Sequence, residues 1–427
     1  MLNPADDSQP RHRSSRRVLL PLGIAICLSL FGDLSLYAVL ASQADVVGLS
    51  LAAVGIMLGA NRLIRIPLNP LAGAFFDRFG RRRLFLLGMA IGTLSVAGFG
   101  IARGFWPFLL TRLGWGVAWT LINVGGMTMV LDISTPTDRG RLVGIYNIFM
   151  LLGLALGPLV GGALVDTLGF QPAMFICAGL GLLGLLIVVF ALPETGRRGG
   201  SGPAAGATQP HVHISPQDWL RRVRYGILGN RHLRTTFSLY LITQLAGEGI
   251  VLSTVNLLLL QKFGEVVSLG TLTLGVATVS GLILGLRSLL AGITGPVAGH
   301  LSDGGSGRRP IILASLALGM ISFTLLAFAD TLPAIVLGVV LSAVSGGAAL
   351  ASLAAQIGDQ TRPGQEGITM GAYATAGDIG STAGPFLAFT LVSLTGLRWI
   401  YVICSLAFIG GLVLALLRRP TSPQQNP

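Results

Sequence analysis

Twelve long apolar runs, each near the length a helix needs to cross a bilayer, govern what this chain can fold into. A bilayer's hydrocarbon core is about 30 Å thick, so a spanning helix takes about 20 mostly apolar residues. Such runs occupy 17–41, 50–73, 84–103, 106–131, 142–165, 171–192, 236–261, 271–300, 310–329, 332–357, 367–394 and 398–417. They are spans 1 to 12 below. Span 8 is long, and its early part, Ser268 to Gly275, reads equally as loop. The runs are continuous, whereas a membrane β-barrel alternates apolar and polar residues in segments of about ten. Composition agrees, because 11% of the 427 residues are charged, against about 25% in soluble domains. A chain so poor in charge cannot cover its surface in water. The expected class is an all-α integral membrane protein.

The net charge of +12 would suggest nucleic acid as a partner in a soluble protein. Here the arginines fall in short loops between apolar runs, with no aromatic-interleaved patch on which bases stack. On one side lie Arg11, Arg13, Arg16, Arg17, Arg78, Arg81, Arg82, Arg83, Arg139 and Arg141. The same side takes the run Arg197 to Arg234, then Arg308, Arg309, Arg362, Arg418 and Arg419. The other side holds Arg103, Lys262 and Arg398. Positive loops stay in the cytoplasm, which predicts that both termini are cytoplasmic. Span 1 is too long for the core of a cleaved signal peptide and carries Asp33, so it is expected to be retained. Cys27, Cys177 and Cys404 sit inside apolar runs at spacings that fit neither metal ligation nor a disulfide framework. They read as small core residues.

The chain also repeats itself. Asn69-Pro70-x-x-Gly73-x-x-x-Asp77-x-x-Gly80-Arg81-Arg82 follows span 2. Gly295-Pro296-x-x-Gly299-x-x-x-Asp303-x-x-x-Gly307-Arg308-Arg309 follows span 8. At an offset of 227 residues, Asp132 and Pro136 match Asp359 and Pro363, and Gly144 and Tyr146 match Gly371 and Tyr373. Gly153-x-x-x-Gly157-Pro158 likewise matches Gly380-x-x-x-Gly384-Pro385. Ordered matches at one offset indicate six spans duplicated in parallel. The expected organisation is a cytoplasmic tail over 1–16, a six-helix bundle over 17–192, a cytoplasmic linker over 193–235, a second bundle over 236–417 and a tail over 418–427. Within the linker, Pro216 to Tyr225 alternates apolar and basic residues in the manner of an interfacial helix.

The loop Gly73-Ala74-Phe75-Phe76-Asp77-Arg78-Phe79-Gly80-Arg81-Arg82-Arg83 is similar to the signature cytoplasmic loop of the major facilitator superfamily. Arg112-x-x-x-Gly116 resembles that family's fourth-helix arginine motif. Gly153-x-x-x-Gly157-Pro158-x-x-Gly161-Gly162 resembles the span 5 motif associated with exporters and drug/proton antiporters. The resemblance implies two six-helix bundles rocking about a central site near the midplane. It also implies a cavity lined by spans 1, 4, 7 and 10, and an interface formed by spans 2, 5, 8 and 11.

Physical reasoning gives these residues work of their own. Asp77, at a helix-to-loop junction, can cap a helix N-terminus and accept from arginine. With Gly73, Arg78, Gly80, Arg81 and Arg82 it is expected to form a charge latch. Asp303, Arg308 and Arg309 would form the second copy, weakened where Gly304-Gly305-Ser306 replaces Arg78-Phe79. The glycines of span 5 give close approach and Pro158 a bend. Together with Gly380, Gly384 and Pro385 of span 11, they are expected at the bundle interface.

Charges inside a membrane are costly unless paired or hydrated, which makes each a functional candidate. Asp33, Glu248, Asp378, Arg62, Arg65, Arg112 and Arg287 fall within spans. At about 1.5 Å per residue, Glu248 lies about 18 Å into span 7, Asp378 about 17 Å into span 11 and Asp33 about 24 Å into span 1. Asp33, Arg112, Glu248 and Asp378 are the candidates for substrate or proton coupling. The competing readings are snorkelling for Arg112 and a structural ion pair for the carboxylates, with Arg62 meeting Asp378. His300 reads as an interface residue. The sequence contains no serine–histidine–acid set, metal spacing or nucleotide loop, so neither an enzyme, a cofactor nor ATP as energy source is expected. The leading function is proton-coupled export of small amphipathic compounds by a monomer in the plasma (cytoplasmic) membrane, with protons and lipid as partners. The alternatives are an uptake symporter or facilitator, and a non-transporting membrane sensor.

Overall fold

The computed structural model describes residues 9–135, 137–195, 231–303, 307–361 and 366–417. The side chains of 9–14, 70, 73, 74, 77, 269 and 366–368 fall outside that description. So does the stretch from Pro216 to Tyr225 expected as an interfacial helix. The described residues are helical almost throughout, and eleven helices among them are long and apolar enough to cross a membrane.

Gln9–Val39, Leu51–Phe79, Arg81–Ile101, Phe105–Asp132, Arg139–Leu168 and Phe170–Ala191 carry spans 1 to 6. Span 7 runs through Arg231–Thr243, a π-helical stretch Gln244–Val251, and Leu252–Phe263. Val276–Asp303, Arg308–Phe328 and Leu332–Gln360 carry spans 8 to 10. Glu366–Leu416 covers both span 11 and span 12, and its backbone leaves the helical region at Gly396 (φ 75°, ψ 161°). Those angles belong to glycine alone.

Span 8 begins later than its apolar run. Its early part is a hairpin, β1 (Val266–Leu269) paired antiparallel with β2 (Leu272–Gly275). Val, Leu and Thr in alternation favour a strand, and Gly270 at φ 66° supplies the positive φ of a two-residue turn.

The chain divides into two compact units, Met1–Pro203 with Ser253–Leu289, and Ala204–Leu252 with Leu290–Pro427. The last part of span 7 and the first part of span 8 therefore pack with spans 1 to 6. Polar contacts fasten them there. The Ser42 amide donates to Asn256 Oδ1 at 2.8 Å, and Asn256 Nδ2 donates to Ser280 Oγ at 3.1 Å. Asp166 Oδ2 accepts from both the amide and the hydroxyl of Thr278, each at 2.6 Å, and so caps the start of span 8.

Candidate functional site

Three polar side chains from three helices meet inside the first unit. Arg112 of span 4 is 0% exposed, Asn61 of span 2 is 3% exposed and Asp33 of span 1 is 6% exposed. Arg112 Nη1 forms an ion pair with Asp33 Oδ1. Asn61 Nδ2 donates to the same oxygen at 3.3 Å. Arg112 Nε donates to the Met57 carbonyl at 2.8 Å. The guanidinium carbon lies 5.6 Å from the Phe99 ring centroid and 6.0 Å from that of Tyr37, within cation–π range. Tyr37 is held in turn by donation of its hydroxyl to the Leu58 carbonyl at 3.1 Å.

The helix backbones come close enough for this because of Gly116, one turn beyond Arg112. A Cβ there would meet the Asn61 carbonyl oxygen at 2.5 Å and its Cα at 3.1 Å. The arginine and glycine of the span 4 motif are thus two parts of one arrangement: the glycine brings span 4 against span 2, and the arginine then reaches Met57 and Asp33. This corrects the snorkelling alternative for Arg112, whose side chain turns inward to a carboxylate. The pair is also absent from the second half, where the offset of 227 places Leu260 and Val339.

The loop after span 2 builds a second cluster, on repeat symmetry. Arg81 Nε pairs with Asp132 Oδ2 at 3.4 Å, and Arg81 Nη1 donates to the Phe76 carbonyl at 2.6 Å. The counterpart at the same offset is Arg308 with Asp359 at 3.0 Å, and Arg308 also pairs with Asp303 at 3.8 Å. Arg82 Nη2 donates to the Val189 carbonyl at 2.5 Å near the end of span 6, and Arg309 Nη2 to the Leu416 carbonyl at 2.9 Å near the end of span 12. Cations at helix C-termini complement the macrodipole.

The first copy has one more part. Glu194, just past span 6, accepts from the amides of Arg81 (3.0 Å) and Arg82 (3.2 Å) at the start of span 3. Spans 3 and 6 therefore cap each other's ends. Gly80 makes the turn at φ 90°, and a Cβ on it would sit 3.3 Å from Glu194 Oε2. In the second copy, Thr421 stands at the offset of Glu194. Arg78 is exposed, its guanidinium over the Phe79 ring at 5.4 Å. The expected role of Asp77 and Gly73 lies outside the described side chains, as do Gly304, Gly305 and Ser306.

The span 5 motif packs on two neighbours, with Gly153, Gly157 and Gly161 on one and Pro158 with Gly162 on the other. A Cβ on Gly153 would meet Cys27 O at 2.9 Å, and one on Gly157 would meet Leu30 O at 3.3 Å and Phe31 Cα at 3.4 Å. Gly161 faces Ser35. This bare stripe seats span 5 on span 1, inside its own half of the sequence. A different face of span 5 meets span 8, with Gly285 against Ala155 O at 2.5 Å, Gly281 against the Pro158 carbonyl and Gly162 against Ala277. Span 11 repeats the first arrangement on span 7. Gly380 lies against Leu241 O at 2.9 Å, and Gly384 and Gly249 approach backbone to backbone. Pro158 and Pro385 sit inside their helices.

Glu248 lies half-buried on the π-helical stretch of span 7, and Asp378 half-buried on span 11, both in the second unit. Such π-turns occur often at functional sites. Arg62 lies over Tyr37 at 5.9 Å, and His300 is exposed. Sequence reasoning passed over Asn61, Glu194 and Asp166. Asn61 is uncharged and so escaped a search for intramembrane charge, and the other two lie at span ends where an acidic residue carries no distinctive signal.

The sequence model of the Major Facilitator Superfamily matches residues 22–285 and 247–427, together nearly the whole chain. The chain belongs to that superfamily. Members of the major facilitator superfamily are transporters that take small-molecule substrates across membranes, and this chain is a multi-pass membrane protein of that kind. It is 25% identical over 369 residues to mouse major facilitator superfamily domain-containing protein 10, covering 83% of this chain and 76% of that one. It is 26% identical over 365 residues to the class C tetracycline resistance protein of Escherichia coli, covering 82% and 85%. Its fold is that of a bacterial homologue of the human lysosomal transporter Spinster, solved inward-facing and occupied, with TM-score 0.74, 16% identity and coverage of 96% and 97%.

Proposed function

We propose that this transporter exports small amphipathic compounds in exchange for protons, by alternating access of two six-helix bundles. The observation that carries this is the buried Asp33–Arg112 pair. A carboxylate held among apolar helices has two ways to be neutralised, a proton or the guanidinium, and the two exclude each other. A proton arriving on Asp33 removes the anion that holds Arg112, which is freed to shift, and loss of the proton re-forms the pair. A protonation event thus becomes a change in how spans 1, 2 and 4 are held together. A cationic compound competes for the same carboxylate. The site is asymmetric, since no second copy exists at the repeat offset, as suits a part that carries chemistry while the Arg81–Asp132 and Arg308–Asp359 pairs brace both halves alike.

In this reading Gly396 is the turn between spans 11 and 12, giving twelve spans with both termini cytoplasmic in a monomer. Export is supported by the exporter-type motif on span 5 and by a relative named for tetracycline resistance. The test is a compound-panel assay in cells stripped of their own efflux pumps. Expression should lower accumulation of at least one amphipathic compound, and Asp33→Asn should abolish that effect. Raised accumulation would instead indicate uptake, and no change across a broad panel would contradict the reading.

A further inference from the structure

Asn61 is the uncharged member of the Asp33 site. Its Nδ2 reaches Asp33 Oδ1 at 3.3 Å, slightly beyond the usual range for an amide donor. Its Oδ1 is buried and has no hydrogen-bond partner among the described residues. Arg112 Nη2 is in the same condition. Buried polar groups are ordinarily satisfied, and an exception calls for a reason. The asparagine amide carries a donor and an acceptor on one carbon, and a half-turn about its broad χ2 exchanges them. The backbone below it is fixed by the approach of Gly116, so the side chain can turn while its helix stays in place.

We propose that Asn61 is a positioning residue that serves Asp33 in both of its protonation states. Toward the carboxylate, Nδ2 donates, as the structure shows. When a proton binds Asp33, the new O–H donates to Asn61 Oδ1, the amide having turned, and Arg112 Nη1 loses its anionic acceptor. The O–H bond is the only covalent bond that forms, and the proton comes from water on the side of higher proton activity. Asn61 thereby holds the neutral acid in place while Arg112 is released. The inference rests on Asp33 being the proton carrier. Other groups face Asp33 and its neighbours: Arg112 from span 4, Arg62 of span 2 over Tyr37, and the Cys177 thiol of span 6 at 3.8 Å from Ser35. Span 5 presents glycines there, and span 3 has no charged residue between Leu84 and Ile101.

Infrared difference spectroscopy on the purified full-length protein in liposomes, stepped from alkaline to acidic pH, tests this with the proton itself as probe. The wild type should show a carboxylic acid C=O band that grows on acidification and is missing from Asp33→Asn. In Asn61→Leu that band should move to higher frequency, because the acid has lost its acceptor. Asn61→Gln, which keeps an amide, should leave it near the wild-type position. Asn61→Ala, less demanding to fold, should give the same upward shift as Asn61→Leu. A wild-type band unchanged in Asn61→Leu or Asn61→Ala overturns the role of Asn61 and leaves Asp33 as carrier. Absence from the wild type of any band that Asp33→Asn removes overturns the carrier reading itself, and the present inference with it.

Discussion

The Asp33–Arg112 pair makes an asymmetric prediction about stability. Replacing Asp33 by Asn leaves a guanidinium that is 0% exposed, hydrogen-bonded to Met57 O and to whatever the new amide offers. Arginine cannot shed its charge in a protein. Breaking a buried pair from one side costs about 3–5 kcal/mol, and the remaining amide oxygen places Asp33→Asn near the lower end, about 3 kcal/mol. Replacing Arg112 by Met leaves a carboxyl group, which unlike a guanidinium can exist in a neutral form, so the loss should be smaller. Removing both leaves no uncompensated charge, and such double replacements are often close to neutral. The double mutant should therefore be more stable than the sum of the singles by about 2–3 kcal/mol. The assay is unfolding by SDS in mixed micelles, followed by tryptophan fluorescence, for wild type, Asp33→Asn, Arg112→Met and the double variant. Additivity within about 0.5 kcal/mol, the spread expected of independent sites, would refute the pair.

Three further outcomes follow from other contacts. Glu194→Gln weakens the acceptor for two amides at the start of span 3 and should cost about 1 kcal/mol, with faster hydrogen exchange at Arg81 and Arg82; unchanged exchange there would remove Glu194 from its capping role. Gly153→Ala should destabilise more than Gly157→Ala, because its Cβ would meet Cys27 O at 2.9 Å whereas that of Gly157 meets nothing nearer than 3.2 Å; the reverse order in thermal melts would displace the packing of span 5 on span 1. Gly396→Ala forces a side chain into a backbone region reserved for glycine and should cost about 1–3 kcal/mol, measurable as a lower melting temperature, and an unchanged melt would put the turn elsewhere.

The helical fold was legible because bilayer thickness fixes the length of an apolar run, and the offset at which glycines and aspartates recur is also the one that relates Arg81–Asp132 to Arg308–Asp359. The start of span 8 was left open between helix and loop, since a β-hairpin of Val, Leu and Thr is as apolar as a helix and Gly270 carries the difference. The glycine stripe of span 5 announced close packing, yet a stripe does not name its partner: the structure gives Gly153, Gly157 and Gly161 to span 1, and Gly162 and Pro158 to span 8. Asp33 and Arg112 were each visible as intramembrane charges on separate spans. Their union depended on Gly116 drawing span 4 to span 2, a contact between residues 55 apart in sequence, which no local pattern reports. Asp132 and Asp359 were noticed only as repeat markers, whereas Arg81 and Arg308 were expected in a latch with Asp77 and Asp303; the structure gives those arginines Asp132 and Asp359 as partners.

If a proton on Asp33 drives transport, flux in proteoliposomes under an imposed pH gradient will show it, with a compound that the export panel identifies as the substrate. Flux should follow the gradient, collapse with an uncoupler, and be lost in Asp33→Asn while binding of the compound without a gradient partly survives. Wild-type flux indifferent to both gradient and uncoupler would contradict it.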